Sequence, residues 1–130
     1  MYVKAGQAKK ALDYYDKAIA IKATYDDAYA HKADVLSGLG KDAEALAAIE
    51  KAIEVSTYRP ERFWLQKGAL LEKLKRPADA RAAYVKARTL NPKLLAAWRK
   101  EMGLAQAAGD AAAAEAAKAK CLELDPMGKK

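Results

Sequence analysis

The sequence predicts an all-α protein, an α-solenoid built from antiparallel helix pairs. Three observations lead to this prediction. The chain matches itself at a step of about 34 residues, and its apolar residues recur at three- and four-residue spacings. It is also rich in alanine, at 32 of 130 residues, but has only 7 glycines and 4 prolines. Repeats of this kind form helix pairs that cannot bury their apolar faces alone and therefore stack.

Identical residues recur in a common register along the chain. The pairs are Gly6 and Gly40, Ala11 and Ala45, Ala18 and Ala52, Trp64 and Trp98, Ala80 and Ala114, and Pro92 and Pro126. The joint between the second and third units is one residue longer, and we place the extra residue within 56–60. This register predicts one array over 1–130, with a partial unit at 1–25 and full units at 26–60, 61–94 and 95–128.

Capping and breaking residues set the predicted helix boundaries. We predict a stub over about 1–5 and then helices over about 7–22, 26–39, 42–55, 61–74, 77–90, 95–108 and 111–124. Gly40 suits the left-handed position after a helix, and Asp42 suits the N-cap of the next one. Pro77 fits a first helical turn. Asn91 and Asp125 each precede a proline and therefore end the helices before them.

These residues resemble the tetratricopeptide repeat (TPR), whose pattern is Trp-x2-Leu-Gly-x2-Tyr, then Ala-x3-Phe, then Pro. The third unit matches it best, with Trp64, Gly68, Leu71, Ala80, Tyr84, Ala87 and Pro92. The second and fourth units match from Tyr29 and Trp98, although Lys118 replaces the later aromatic residue in the fourth. The resemblance covers nearly the whole chain and implies a right-handed superhelix of about three and a half units.

The sequence contains no evident catalytic constellation. His31 has Asp34 three residues further along one helix face, but no Ser or Cys nucleophile has sequence support for joining them. A surface histidine is therefore the simpler interpretation. Cys121 occupies the small-residue slot held by Ala52 and Ala87, which predicts a buried structural thiol. We expect no enzyme activity, no cofactor and no metal site.

The resemblance also implies a binding surface, because the first helices of TPR units line a concave groove that holds a partner's peptide or helix. The groove-facing slots carried over to this chain are Asp27, Ala30, Asp34, Arg62, Leu65, Ala69, Lys73, Arg99 and Gln106. Arg62 and Arg99 are suited to binding a carboxylate, with help from Lys73 and Lys100, and ordinary solvated charges are the alternative. The predicted function is a non-catalytic protein–protein interaction scaffold, with an acidic segment as one candidate ligand.

Chaperone C-termini are one class of partner that the sequence argues against. One TPR subfamily binds chaperone C-termini through a clamp of Lys, Asn and Arg. The matching slots here hold Ala30, Asp34, Gln66, Ala96 and Lys100, so we do not expect chaperone tails to bind.

The net charge of +7 raises the alternative of a nucleic-acid-binding helical repeat protein that uses its basic surface. Interleaved carboxylates count against it, because nucleic-acid sites cluster their positive charge on one face.

The sequence also bears on the compartment of the protein and on its assembly. No apolar run is long enough to span a membrane, and the first residues lack the apolar core of a signal peptide, so we expect a cytoplasmic protein without a membrane partner. The first unit begins partway through its pattern, which suggests a piece of a longer array. An incomplete unit leaves an open end, and we expect self-association through it.

Overall fold

The computed structural model describes residues 5–127, and this range contains seven α-helices and no strand. The helices are α1 (Ala5–Ile21), α2 (Asp26–Gly38), α3 (Asp42–Val55), α4 (Glu61–Lys73), α5 (Pro77–Leu90), α6 (Leu95–Ala107) and α7 (Ala111–Leu124). The predicted all-α fold is confirmed, and the predicted helix ends agree to within about two residues. The predicted stub lies outside the described residues, except for its last residue, which begins α1.

The helices stack in chain order as antiparallel pairs. α2 packs on α3, α4 on α5, and α6 on α7, while α1 contacts α2, α3 contacts α4 and α5 contacts α6. We call α2, α4 and α6 the inner layer, since hydrogen bonds between α2 and α4 show that these helices lie side by side. We call α1, α3, α5 and α7 the outer layer. The arrangement is the helical-repeat solenoid that the sequence predicts.

The core lies between the layers and combines many alanines with a few large side chains. Tyr84, Phe63, Ile49 and Leu71 are the largest side chains that are essentially fully buried. Trp64, which the repeat pattern favours as a core residue, is only half-buried, whereas its neighbour Phe63 is 2% exposed. Because α4 contacts both α3 and α5, a wide arc of its surface is buried, and this arc includes Phe63.

Each joint between units carries an ion pair from an outer helix to the next inner helix. Lys32 pairs with Asp16 at 2.7 Å, and Lys67 pairs with Glu50 at 3.2 Å. At the third joint the signs are reversed, because Glu101 stands in the lysine slot and accepts hydrogen bonds from Arg88. Glu101 is only 4% exposed, so this carboxylate requires its guanidinium partner.

α4 and α5 approach each other closely at Gly68. A Cβ atom built on Gly68 would lie 2.5 Å from Cε1 of Tyr84. Tyr84 is 1% exposed, and its hydroxyl donates a hydrogen bond to Glu72 at 2.5 Å. Burial, together with this bond to the carboxylate, raises the pKa of Tyr84. The hydrogen bond to Glu72 holds the buried ring against Gly68.

The turn inside each full unit requires a left-handed backbone at one position. Gly40 and Gly109 occupy it with φ of 79° and 77°, which confirms the prediction for Gly40. Lys75 occupies the equivalent position in the third unit with φ of 62°. A side chain is strained in this conformation because its Cβ approaches the following carbonyl oxygen.

The predicted N-cap at Asp42 is wrong. Lys41 is the N-cap residue of α3, and no side chain caps that helix. The Asp42 carboxylate instead accepts from the Ser37 hydroxyl at 3.3 Å and pairs with Lys73 at 3.1 Å. Asp42 lies one residue inside the helix, and its carboxylate pairs with the Lys73 ammonium of the next unit instead of capping the helix. Among α2 to α7, α7 alone has a side-chain cap, made by Asp110 to the Ala113 amide.

Substituting Gly68 tests the close approach of α4 and α5. Gly68→Ala should lower the free energy of unfolding by about 1–3 kcal/mol, because the buried Tyr84 ring cannot move away. Gly103 is the control, since a Cβ there meets nothing within 4 Å. Gly103→Ala should raise the free energy of unfolding by about 0.5–1 kcal/mol through helix propensity. Urea unfolding measures both, and equal effects would contradict the packing described.

Substituting Lys75 tests the strained turn. Lys75→Gly should raise the free energy of unfolding by about 0.5–1 kcal/mol, because relief of the left-handed strain exceeds the entropy that glycine adds to the unfolded chain. Gly109→Ala at the equivalent turn should lower it by a comparable amount. Thermal unfolding followed by circular dichroism measures both changes. A Lys75→Gly chain that is less stable than the original would refute this account.

Candidate functional site

The predicted groove residues all lie on the three inner-layer helices. α2 carries Asp27, Ala30 and Asp34; α4 carries Arg62, Leu65, Ala69 and Lys73; α6 carries Arg99 and Gln106. Asp34, Arg62, Ala69, Lys73 and Gln106 are exposed, whereas Asp27, Leu65 and Arg99 are half-buried. Ala30 is buried, with 6% of its surface exposed, so it contributes its backbone carbonyl and not its side chain to this surface.

Three polar side chains of α4 reach across to α2. Arg62 donates to Asp27 at 2.5 Å near the N-termini of the two helices. In the middle, the Gln66 amide nitrogen donates to the Ala30 carbonyl at 2.9 Å and to the Asp34 carboxylate at 2.8 Å. Gln66 was not among the predicted groove residues, although it occupies one of the clamp slots compared above. Its position four residues after Arg62, on the same helix face, is the signal that could have found it.

The C-terminal end of α4 makes the third contact with the preceding unit. The Lys73 ammonium donates to the Ser37 hydroxyl at 2.6 Å and pairs with Asp42. Asp34, Ser37, Gly38 and Lys73 line a cleft of about 450 Å³ between α2 and α4. Within one cleft they supply a carboxylate, a hydroxyl and an ammonium group, which can accept and donate hydrogen bonds to a polar ligand.

The two arginines predicted to bind a carboxylate have different internal partners. Arg62 is held by Asp27 and lies 3.7 Å from Asp26, while Arg99 on α6 pairs with Asp125 at 3.1 Å. Lys100 lies 3.7 Å from Glu72. The structure therefore does not join Arg62 and Arg99 through a shared carboxylate. Each is already neutralised by an acidic group of this chain.

The cations of residues 5–127 fall into two groups, those with an ion-pair partner and those without one. Every lysine and arginine on α2, α4 and α6 lies within 3.7 Å of a carboxylate oxygen. The cations without an ion-pair partner in this range are all lysines on outer-layer helices or in connecting segments, namely Lys9, Lys10, Lys17, Lys22, Lys41, Lys75, Lys86, Lys93 and Lys118. The excess positive charge thus lies away from the inner layer.

The surroundings of His31 and Cys121 indicate a structural role for each residue. The His31 ring stacks on Tyr15 with 5.6 Å between ring centroids. Cys121 is half-buried, and burial raises the pKa of its thiol while Arg99 opposes that shift. In the described part of the chain, no group of three or more His, Cys, Asp or Glu side chains is placed to hold a metal ion. None of the described helices is long and apolar enough to cross a membrane.

The pH dependence of stability tests the surroundings of Asp34. Partial desolvation of its carboxyl group raises the pKa of Asp34, although the residue as a whole is exposed, and the charge of His31 partly opposes this shift. The unfolded chain releases this proton at a lower pH than the folded chain does. The free energy of unfolding therefore falls as pH rises from the unfolded pKa of 3.8 through the higher folded pKa. Asp34→Asn should remove that loss. Urea unfolding across the acidic range measures it.

Asp110 provides a control of opposite sign for that experiment. Arg81 and the Ala113 amide lower the pKa of Asp110, so its stabilisation is present at neutral pH and is lost as pH falls through the folded pKa. Asp110→Asn should therefore destabilise the chain at neutral pH and have little effect at the most acidic pH. Parallel behaviour of the two variants would contradict the assignments.

Comparisons with known proteins agree with this architecture. The tetratricopeptide repeat model matches residues 26–57 and 61–94, about half of the chain. YrrB, described as a TPR protein with an unusual peptide-binding site, is 25% identical over 93% of this chain, with a TM-score of 0.77. This chain spans only 62% of the length of YrrB.

Two further structures share the fold at lower identity. MamA is 16% identical, with 97% of this chain and 77% of MamA covered and a TM-score of 0.80. The first TPR domain of Spaghetti (RPAP3), bound to an HSP90 peptide, is 20% identical, with 80% and 84% covered and a TM-score of 0.70. No curated protein sequence matches the chain. From the two matched repeats and the solenoid that contains them, the chain belongs to the tetratricopeptide repeat family.

Proposed function

We propose that this chain is a non-catalytic protein-interaction module that binds a peptide or helix of a partner on its inner layer. The observation that carries the proposal is the polar cleft at Asp34 and Lys73. Small residues of the inner layer are exposed at Ala69 on α4 and at Ala96 and Gly103 on α6; we call these three residues the small-residue strip, and they leave room for a partner's backbone. Membership of the TPR family and the likeness to YrrB, a protein with a peptide-binding site, support it.

The polar groups beside this strip suit an extended backbone. The Gln66 amide nitrogen is already used by Ala30 and Asp34, which leaves its carbonyl oxygen to accept from a peptide N–H. The second Asp34 carboxylate oxygen can accept in the same way. Gln106 on α6 offers both a donor and an acceptor and is exposed. Binding by such groups depends on backbone geometry more than on ligand charge.

An acidic segment is the ligand class that we propose for Arg62 and Arg99. Asp27 uses one nitrogen of Arg62, whose side chain remains 40% exposed, and a guanidinium carries five N–H donors. A second carboxylate can therefore bind without releasing Asp27. The gain is smaller than for a free arginine, because the internal carboxylates already neutralise part of the charge.

Affinity capture from the source organism tests both parts of the proposal. Ala69→Trp fills the small-residue strip and should abolish capture of any inner-layer partner. The double variant Arg62→Glu, Arg99→Glu should weaken binding of an acidic partner by at least about tenfold. The matched control is Lys9→Glu, Lys118→Glu, which makes the same change in net charge on the outer layer.

The variants separate the possible results. Circular dichroism establishes that each variant remains helical before capture is compared. Loss with Ala69→Trp alone supports inner-layer binding and removes the acidic ligand from the proposal. Partners that are captured equally by the original chain, Ala69→Trp and the arginine double variant would overturn the proposed site.

A further inference from the structure

A second cleft opens on the opposite face of the molecule, in the outer layer. It encloses about 470 Å³, with α3 and α5 as its walls and α4 as its floor. Trp64 supplies apolar surface from the floor and Ala82 from one wall, while the buried Leu71 and Ala83 lie behind them. The half-buried Trp64 ring can therefore pack against an apolar group that enters between α3 and α5.

The charged residues around this cleft are not balanced. Lys67 pairs with Glu50 at 3.2 Å, and its ammonium lies 5.0 Å from the centroid of the Trp64 ring. Arg76 pairs with Asp79 at 2.9 Å. Once these two pairs are counted, Lys86 is the cation of the cleft that has no carboxylate partner among the described residues. The cleft therefore combines an apolar floor with one available positive charge at its rim.

The repeat explains why Lys86 is available. A lysine occupies the same slot of every outer helix, at Lys17, Lys51, Lys86 and Lys120. Lys51 and Lys120 each pair with a glutamate three residues later, at 3.4 Å. In the third unit that later slot holds Thr89, whose hydroxyl donates to the Val85 carbonyl of its own helix. Lys86 has thus lost the intrahelical partner that two equivalent lysines retain.

Trp64 adds an available donor. Its counterparts Tyr29 and Trp98 each donate to a carbonyl six residues earlier, at Ala23 and Pro92. The indole N–H of Trp64 makes no such bond within residues 5–127, and the equivalent carbonyl, that of Tyr58, accepts from Ser56. No described side-chain nitrogen or oxygen is both buried and without a partner, so this N–H reaches solvent.

We propose that the outer cleft binds an acidic segment of a partner protein in which a bulky apolar side chain lies next to a carboxylate. The apolar side chain packs on the Trp64 ring, and the carboxylate pairs with Lys86. A peptide that places one carboxylate in the cleft fits better than a nucleic acid, because Lys86 is the one unpaired cation there among the described residues and cannot neutralise a run of phosphates. The site is independent of the inner layer and remains testable if inner-layer binding fails.

The test uses the full chain and three defined probes. The first is a fluorescein-labelled peptide pool randomised among Asp, Glu, Leu and Phe, and the second is the matching pool with Asn and Gln in place of the acids. The third is a labelled single-stranded DNA. Fluorescence anisotropy measures affinity for the original chain and for Lys86→Glu. Lys9→Glu is the matched control, since Lys9 is also exposed and has no ion-pair partner within residues 5–127 but lies outside the cleft.

We expect the acidic pool to bind, and Lys86→Glu to weaken it by at least about fivefold while Lys9→Glu has a much smaller effect. The chain has two tryptophans, so its ¹H–¹⁵N spectrum contains two indole signals. The acidic pool should shift the Trp64 signal and leave that of Trp98, bonded to Pro92, unmoved. Equal weakening by both variants, tighter binding of DNA, absence of binding by the acidic pool, or an unmoved Trp64 signal would each overturn the proposal.

Discussion

The structure depends on the insertion of each inner helix between two outer helices. A single helix pair cannot bury its apolar face, so α4 completes its core by packing on both α3 and α5. Ion pairs at the joints accompany this packing and differ between units. Lys67 meets Glu50, but a lysine in place of Glu101 would meet Arg88. Units with nearly the same fold are therefore not interchangeable at the joints.

The joints also determine where charge is available for recognition. An inner helix contacts its neighbours in both layers, so its cations find carboxylates on two sides, as Lys67 does with α3 and Lys73 with the segment Ser37–Asp42. Outer helices have a solvent-facing side where lysines such as Lys86 meet no partner among the described residues. The inner surface consequently offers hydrogen-bonding groups with little net charge, while the outer surface carries the basic excess.

The repeat register predicted the helices well because capping and packing positions are local and recur in each unit. Gly40 had to be left-handed wherever the turn lay, and Ala45 and Ala80 had to be small wherever two helices approached. Partners in other units could not be predicted in this way. Asp42 was expected to cap its own helix but binds Lys73, about 30 residues away, and the groove residue Arg62 already holds Asp27. These choices depend on side-chain positions between units, which a one-dimensional pattern does not encode.

The single extra residue within 56–60 links the repeat to the outer cleft. In the neighbouring units the loop carbonyl six residues before the aromatic slot accepts from Tyr29 or Trp98 and holds that ring in place. The longer loop places Arg59 at a left-handed φ of 50° and turns the Tyr58 carbonyl to Ser56. Trp64 thereby loses its internal acceptor at the joint where Lys86 has lost its carboxylate. Two independent departures from the repeat, one in a loop and one in a helix, leave Trp64 and Lys86 without these partners among the described residues, and both line the same cleft, which is why the third unit differs from its neighbours as a binding surface.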